Sequence, residues 1–520
     1  MSKRFTGFFE LLLLMAVVIS LGLGVSWAGN GAYANPQKAA AGAGAAGTPV
    51  AVAQTQVDAT QAPVATDALP TNTAATAQTP VSDTTPLTGA VSAQMMPLSG
   101  TIGPLPTSSV FNNNIKLEAG DAPLLVQAPG TLNILLLGSD NAVDERYSRT
   151  DTILIASVNP EMPSVSMLSV PRDLQVRIPD HADDRVNTAF ELGYLRDYPG
   201  GGPAFLAVVL RKNFGIKIDH YVRIDFEGFK KAVNTLGGVE VLAECELHDT
   251  FPDKSSPGGK IDLDVYPGRT SLNGMQALMY ARSRWSTTDF DRARRQQKVL
   301  RALFSKVKRM NLLQNALGLY NDFRQNVDTD MGLDMIPALV DIAGRLDNLA
   351  IKNRVITYPV LKAFTRKDGA MVLLPTNNTI SYIAEALSPP AGNRTQNLLR
   401  VEVYNATGRP DMELVAAERL GWEGFMVIAS GTLTDTKQPK TEIINFEVTP
   451  KGSPLPRLQN IFNVRKANVI PQLDPSSAAV ARIVLGENYN SCPATASIAG
   501  DVPLAADTQL IPTSTPQPKK

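Results

Sequence analysis

Asn133-Ile-Leu-Leu-Leu-Gly138 is a short apolar run closed by glycine, consistent with a buried strand. Thr152-Ile-Leu-Ile-Ala-Ser-Val158 is a second such run, and Val165-Ser-Met-Leu-Ser-Val170, closed by Pro171, is a third. Asn159-Pro-Glu-Met-Pro163 punctuates the gap between the second and third, so these two are expected to form an antiparallel hairpin. If the first run also pairs antiparallel with the second, one sheet edge receives the end of the first strand, the start of the second and the end of the third. That edge carries Ser139-Asp140, Arg149-Thr150-Asp151 and Arg172-Asp173. Three charged clusters thus converge by topology alone.

Helix and strand signals alternate downstream. Pro203–Asn213 reads as a helix and His220–Ile224 as a strand. Asp225 is placed to cap a helix over Phe226–Leu236, which Gly237-Gly238 stops. Val239–Leu242 returns as a strand, and the Gly, Pro, Ser and Lys of Phe251–Pro267 suggest an exposed loop. Asn273-Gly-Met-Gln276 has the form of a capping box. On the helix it opens, Met275, Leu278, Met279 and Arg282 share a face, which brings the Arg282 head to the edge of the core. A long helix follows from about Asp291. Arg292, Arg295, Gln296 and Val299 lie on one face of it, while Arg294, Lys298 and Arg301 read as a solvated face. Helical patterning resumes at Leu333–Leu349, and the unit closes near Leu387. A smaller one begins at Leu398, with strands over Arg400–Tyr404, Phe425–Ile428 and Thr441–Phe446 and a helix over Met412–Leu420.

The 520 residues carry zero net charge, so no global field draws the chain to nucleic acid or an anionic membrane. His181, His220 and His248 share no metal-ligand spacing, which points away from zinc and towards oxygen ligands for a hard cation. The two cysteines, Cys245 and Cys492, exclude a disulfide framework and leave a single bridge open. Lys3 and Arg4 precede an apolar run from Phe8 to Trp27, long enough to span a bilayer with its N-terminus in the cytoplasm. Ala32-Tyr33-Ala34 offers the competing reading of a cleaved secretion signal. Both readings put the remainder outside the cell. The expected organisation is therefore a transmembrane start over 1–28, a disordered Ala/Thr/Pro-rich linker over 29–127, a catalytic domain over 128–387, a small α/β domain over 398–492 and a disordered tail over 493–520.

Tyr280-Ala-Arg-Ser-Arg284, followed by Asp289-Phe-Asp-Arg292-Ala-Arg-Arg295-Gln296-Gln297, is dense in guanidinium and carboxylate. Guanidinium forks match phosphate oxygens in pairs and stay charged at any relevant pH. Asp140 and Asp151 at the sheet edge form a carboxylate pair suited to Mg2+, which completes its shell with water or phosphate. Arg149, Arg172, Arg282, Arg284 and Arg292 add cations able to neutralise a diphosphate, and Asp289 or Asp151 can take a proton from an attacking hydroxyl. The chemistry implied is phosphoryl transfer from a pyrophosphate donor. No phosphate-binding P-loop, nucleophile elbow or zinc-protease helix occurs.

Asn133–Asp140, Arg149-Thr-Asp-Thr152, Ser169-Val-Pro-Arg-Asp173, Arg185-Val-Asn-Thr-Ala189, Tyr280–Arg284 and Asp289-Phe-Asp-Arg292 with Arg295-Gln-Gln297 together resemble the LytR-CpsA-Psr family. The unit from Leu398 resembles the C-terminal domain often appended to its members. The resemblance implies a three-layer α/β/α sandwich around a mixed sheet, with an apolar tunnel for a polyprenyl tail. It implies a phosphotransferase that moves a glycopolymer from a polyprenyl-pyrophosphate carrier onto a peptidoglycan sugar hydroxyl, leaving a phosphodiester link. By the same resemblance Asp140 and Asp151 hold Mg2+, or Mn2+ in its place. Arg149, Arg172, Arg282, Arg292 and Gln296 contact the pyrophosphate, with Arg284 and Arg295 nearby. The expected catalytic group is Asp151, Asp289 and Arg172. Asp291 departs from the family, which commonly has Gly there; it would weaken phosphate binding or pair with Arg295. Two other functions compete: a pyrophosphatase using water, and a membrane-bound transcriptional attenuator. Zero net charge and the absence of a helix-turn-helix pattern argue against the latter and against a nucleic-acid partner.

Overall fold

The computed structural model describes residues 111, 118–140, 150–253, 256–310, 326–332, 335–346, 350–389, 399–433, 438–448 and 453–492. The expected membrane segment, most of the linker, the C-terminal tail and Arg149 lie outside them. Among the described residues no helix is long and apolar enough to cross a membrane.

Six strands form the central sheet, in the order Val327–Thr329, His220–Ile224, Leu132–Ser139, Thr150–Asn159, Ser164–Val170, Ile351–Val355. Leu132–Ser139 pairs antiparallel with Thr150–Asn159, which pairs antiparallel with Ser164–Val170, as the apolar runs and the turn between them suggested. Parallel pairings with His220–Ile224 and Ile351–Val355 make the sheet mixed. Successive side chains point to opposite faces. Ile134, Leu136 and Leu154 enter a core with the helices Phe226–Thr235, Gly274–Arg282, Asp289–Met310 and Ile336–Arg345. Leu135, Leu137, Ile153 and Ile155 enter a second core with the helices Val186–Leu195, Gly201–Phe214 and Thr379–Leu387. Helices thus cover both faces, and every residue of the first two strands is buried. That is why these strands read as continuous apolar runs. Each fully buried Leu or Ile contributes about 1.5–3 kcal/mol.

Local signals placed the helix starts well. The Asp225 carboxylate accepts the Gly228 N–H at 2.9 Å, and Asn273 and Gln276 form the reciprocal capping box. Other readings are corrected. Residues 251–267 belong largely to a hairpin, Leu247–Pro252 against Lys260–Val265, because the Gly-Pro-Ser-Lys cluster occupies its tip. The helix Val186–Leu195 was not anticipated. The long helix starts at Asp289, two residues early. Residues 118–127, assigned to the disordered linker, are pinned. The Ala122 N–H donates to the Lys212 carbonyl at 2.8 Å and the Leu125 N–H to that of Gly215 at 3.0 Å, while Lys212 pairs with Asp121 at 3.1 Å. Gly215 permits this approach. Its φ is +74°, and a Cβ there would stand 1.9 Å from the Pro123 carbonyl oxygen.

The C-terminal unit is a five-stranded sheet in the order Phe425–Thr432, Leu399–Asn405, Ala481–Leu485, Glu442–Asn445, Val469–Pro471, with helices Met412–Trp422 and Leu455–Phe462. It covers the back of the long helix. Arg294, Lys298 and Arg301, read as a solvated face, lie under it. Lys298 is 3% exposed, sits 3.2 Å from Glu244 and pairs with Glu418 of the C-terminal unit. Arg294 is 3.1 Å from Glu244 and 5.4 Å from the Trp422 ring. Burial lowers the pKa of Arg301, against the pull of Glu418. Cys245 and Cys492 form a disulfide across the same junction, beside the Ser491 hydroxyl, which donates to the Glu244 carbonyl at 2.7 Å.

Candidate functional site

Register brings the charged clusters to one edge. Gly138 pairs with Thr152 on one side and Ile224 on the other, and a bulge after Gly138 sets Ser139 opposite Thr150. Asp140 and Asp151 follow directly. Val170 pairs with Ile153, so Arg172 emerges beside them. Its Nη1 donates to Asp151 Oδ1 at 2.8 Å, while its Nε lies 3.5 Å from Asp289 Oδ2 and 3.6 Å from Asp173 Oδ2. Asp173 also receives Arg185 Nε at 3.2 Å. The start of the long helix supplies Asp289 and Arg292, joined at 3.3 Å.

Arg282 ends its helix with the guanidinium 4.5 Å from the Phe226 ring centroid and 5.4 Å from that of Phe251, a cation–π seat. Burial pushes its pKa down to about 10; Asp140 and Asp151 oppose this shift, and Arg284 and Arg292 reinforce it. Burial likewise lowers Arg292, despite Asp289. At Arg172 burial is outweighed by Asp151, Asp289 and Asp173, which hold its pKa above the ordinary value. Burial would raise Asp289, but Arg292 and Arg172 hold it below the usual carboxylate range. The Arg282 Nε is buried without a hydrogen-bond partner, whereas the Arg172 Nε makes no hydrogen bond but faces the Asp289 and Asp173 carboxylates. Desolvated guanidiniums with unused donors are costly unless an anion completes them.

Not every expected residue faces this cluster. Arg295 is turned to the loop behind it: its Nε donates to the Tyr280 carbonyl at 3.0 Å, Nη1 to Thr287 Oγ1 at 2.9 Å, and Nη2 to the Ser283 carbonyl. Its donors are thus engaged by the chain, and it braces the loop. Gln296 is buried and its amide donates to the Ala281 carbonyl at 3.4 Å. Arg284 is half-buried, 5.9 Å from the Trp285 ring. Asp291 makes its hydrogen bonds at the start of the long helix, and its charge supports Arg295 against the cost of burial. Its Oδ2 accepts from the Thr288 N–H at 3.0 Å and the Thr288 hydroxyl at 2.7 Å, capping the long helix. Sequence reasoning missed Arg223, a buried cation whose Nε donates to Ser139 Oγ at 3.1 Å. An arginine within the apolar strand His220–Ile224 was the available signal. It also missed Phe226 and Phe251, which only the fold brings under Arg282.

The LytR_cpsA_psr family model matches residues 106–388, more than half of the chain. The chain belongs to the LytR-CpsA-Psr family. A second model, described as LytR cell envelope-related transcriptional attenuator, matches residues 398–489. Among relatives, the polyisoprenyl-teichoic acid–peptidoglycan teichoic acid transferase TagU of Oceanobacillus iheyensis is 31% identical over 43% of this chain and 67% of its own length. TagU of Enterococcus faecalis is 33% identical over 39% of this chain and 62% of its own length. The chain thus spans about two thirds of these relatives. A solved structure of TagT bound to LIIa-WTA aligns at 23% identity with a TM-score of 0.39, over 54% of this chain and 95% of that one.

Among the described residues no three His, Cys, Asp or Glu side chains form a group able to hold a metal by themselves. Asp140 and Asp151 both act on the charge of Arg282, and the buried Thr150 hydroxyl next to Asp151 has no hydrogen-bond partner. Mg2+ is commonly bound by one or two carboxylates with phosphate oxygens and water filling the rest of its shell. The donor set therefore suits Mg2+ held jointly with a phosphorylated substrate.

Proposed function

We propose that the protein is a phosphotransferase that moves a glycopolymer from a polyprenyl-pyrophosphate carrier to a peptidoglycan sugar hydroxyl. The observation that carries this reading is the convergence of Arg172, Arg282 and Arg292 on Asp140, Asp151 and Asp289, with the Arg282 Nε buried and without a hydrogen-bond partner. The names of the TagU relatives, transferases acting between polyisoprenyl-teichoic acid and peptidoglycan, support it. Arg172, Arg282 and Arg292 would bind the diphosphate, with Arg284 and, by the family resemblance, Arg149 adding positive charge. Asp140 and Asp151 would hold Mg2+, or Mn2+, whose charge lowers the cost of negative charge on the phosphate oxygens. The acceptor oxygen forms a bond to the glycan-bearing phosphorus, and the anhydride P–O bond to the carrier breaks. Polyprenyl phosphate leaves, and the product is a phosphodiester.

Asp289 would accept the hydroxyl proton, because its side chain keeps 36% of its surface exposed whereas Asp151 keeps 6%. Arg292 and Arg172 hold its pKa down and make it a weak base. A diphosphate that neutralises them restores its basicity. The apolar run Phe8–Trp27 behind Lys3 and Arg4 would hold the enzyme at the membrane with its catalytic domain outside.

The test is incubation of the full-length protein with Mg2+, a polyprenyl-diphosphate-linked glycan and peptidoglycan, followed by mass spectrometry. A phosphodiester-linked product that disappears with a chelator is expected. Free glycan phosphate made at the same rate without peptidoglycan would instead identify a pyrophosphatase. A second measurement addresses Arg282. Replacing it with Ala should raise the Kd for polyprenyl diphosphate on the order of tenfold to a hundredfold, the size of a lost charge-assisted pair. Unchanged binding by fluorescence titration removes Arg282 from the site.

A further inference from the structure

We propose that Trp285 is a stacking platform for the first pyranose ring of the diphosphate-linked glycan, a reading that rests on the transfer function above. Trp285 is 62% exposed, although burial is the ordinary fate of so large an apolar ring. It sits in the loop joining the two helices that carry Arg282 and Asp289–Arg292. Its ring meets Phe251 edge to face, with centroids 5.3 Å apart and planes at 72°. Phe251 in turn lies under the Arg282 guanidinium at 5.4 Å, so one aromatic ring separates Trp285 from a diphosphate-binding cation. The Arg284 guanidinium stands 5.9 Å from the Trp285 ring.

The loop is held in place. Arg295 ties it from behind through the Tyr280 and Ser283 carbonyls and Thr287. The Ser286 hydroxyl donates to Asp249 Oδ1 at 2.6 Å and accepts the His248 N–H at 3.2 Å. Tyr266, 61% exposed, stands edge-on to His248 at 5.7 Å, so a second exposed aromatic borders the same hairpin. A pyranose presents a face of weakly positive C–H bonds, which complements the negative face of an indole. A ring fixed before binding incurs little ordering cost when it stacks. The covalent link decides the occupant: the first sugar of the donor must lie beside the diphosphate, and Trp285 is one aromatic ring removed from Arg282 through Phe251, whereas the acceptor is not tethered there.

The experiment measures binding of two probes, polyprenyl diphosphate and polyprenyl-diphosphate-N-acetylglucosamine, and of a soluble peptidoglycan disaccharide as an acceptor control, to the full-length protein in detergent, as wild type, Trp285→Ala and Trp285→Phe. The Ala variant should bind the sugar-bearing probe about tenfold more weakly and the bare probe as the wild type does. The Phe variant should recover most of the difference, since a flat ring remains. Equal weakening of both probes, or of neither, overturns the stacking role. So does a loss confined to a soluble peptidoglycan disaccharide, which would mark an acceptor contact. If the wild type binds neither probe, the transfer reading itself fails, a result distinct from all of these.

Discussion

Arg172→Ala should reduce the transfer rate on the order of a thousandfold, the scale set by removal of one donor aimed at developing charge. Arg172 is the hub of the site: 2.8 Å from Asp151, 3.5 Å from Asp289 and 3.6 Å from Asp173. Without it, these carboxylates repel one another and any incoming phosphate. The Asp289 carboxyl, held down partly by Arg172, moves up towards the ordinary range. The acid limb of the rate–pH profile in the variant should therefore shift to higher pH. Arg172→Lys keeps a charge but loses the planar fork, and should fall between wild type and Ala. Product formation by mass spectrometry, with a thermal melt to establish folding, checks both. A folded Ala variant with the wild-type rate would sink the role assigned to Arg172.

Glu244→Ala should destabilise the junction between the two domains by about 3–5 kcal/mol, the range for breaking a buried ion pair by removing one partner. That is a large share of a typical stability of about 5–15 kcal/mol. The variant leaves Arg294 and Lys298, 5% and 3% exposed, without their shared carboxylate. Burial pushes the Glu244 pKa up, but Arg294, Lys298 and Arg419 outweigh it and hold it down at about 2, from an ordinary 4.5. The folded pKa is depressed, so the stabilisation is fully present above pH 4.5 and is lost as pH falls towards 2. The span of that shift corresponds to about 3 kcal/mol, of the same order as the mutational estimate. Melting temperature measured from pH 5 to pH 2 should fall more steeply in the wild type than in Glu244→Gln. Parallel profiles would refute the assignment. Cys492→Ser should lower the melting temperature as well, since a disulfide typically contributes about 2–4 kcal/mol. Reductant should then leave the variant unchanged while destabilising the wild type.

The convergence of Asp140, Asp151 and Arg172 was legible before any coordinates, because apolar runs and a Pro-rich turn specify strand direction locally. The caps at Asp225 and Asn273 were legible for the same reason: each is complete within four residues. Arg294 and Lys298 were not. Helical spacing says which residues share a face, but not what covers that face. The covering groups, Glu244 and Glu418, stand 50 and 120 positions away from them. Arg292 and Arg295 have the same spacing logic, yet only one turns to the carboxylates, because the loop carbonyls at Tyr280 and Ser283 claim the other.

The sequence by itself determined the central antiparallel strands, the edge on which the acids and guanidiniums meet, and the family to which those motifs point. These follow from periodicity, turn chemistry and residue type, which act over a few neighbouring residues. Only the tertiary structure decided which guanidiniums keep unused donors, which charged face is roofed by the C-terminal domain, and that Cys245 reaches Cys492 across 247 residues. Those outcomes depend on what is packed opposite each side chain, and chain folding sets that at separations no local pattern encodes.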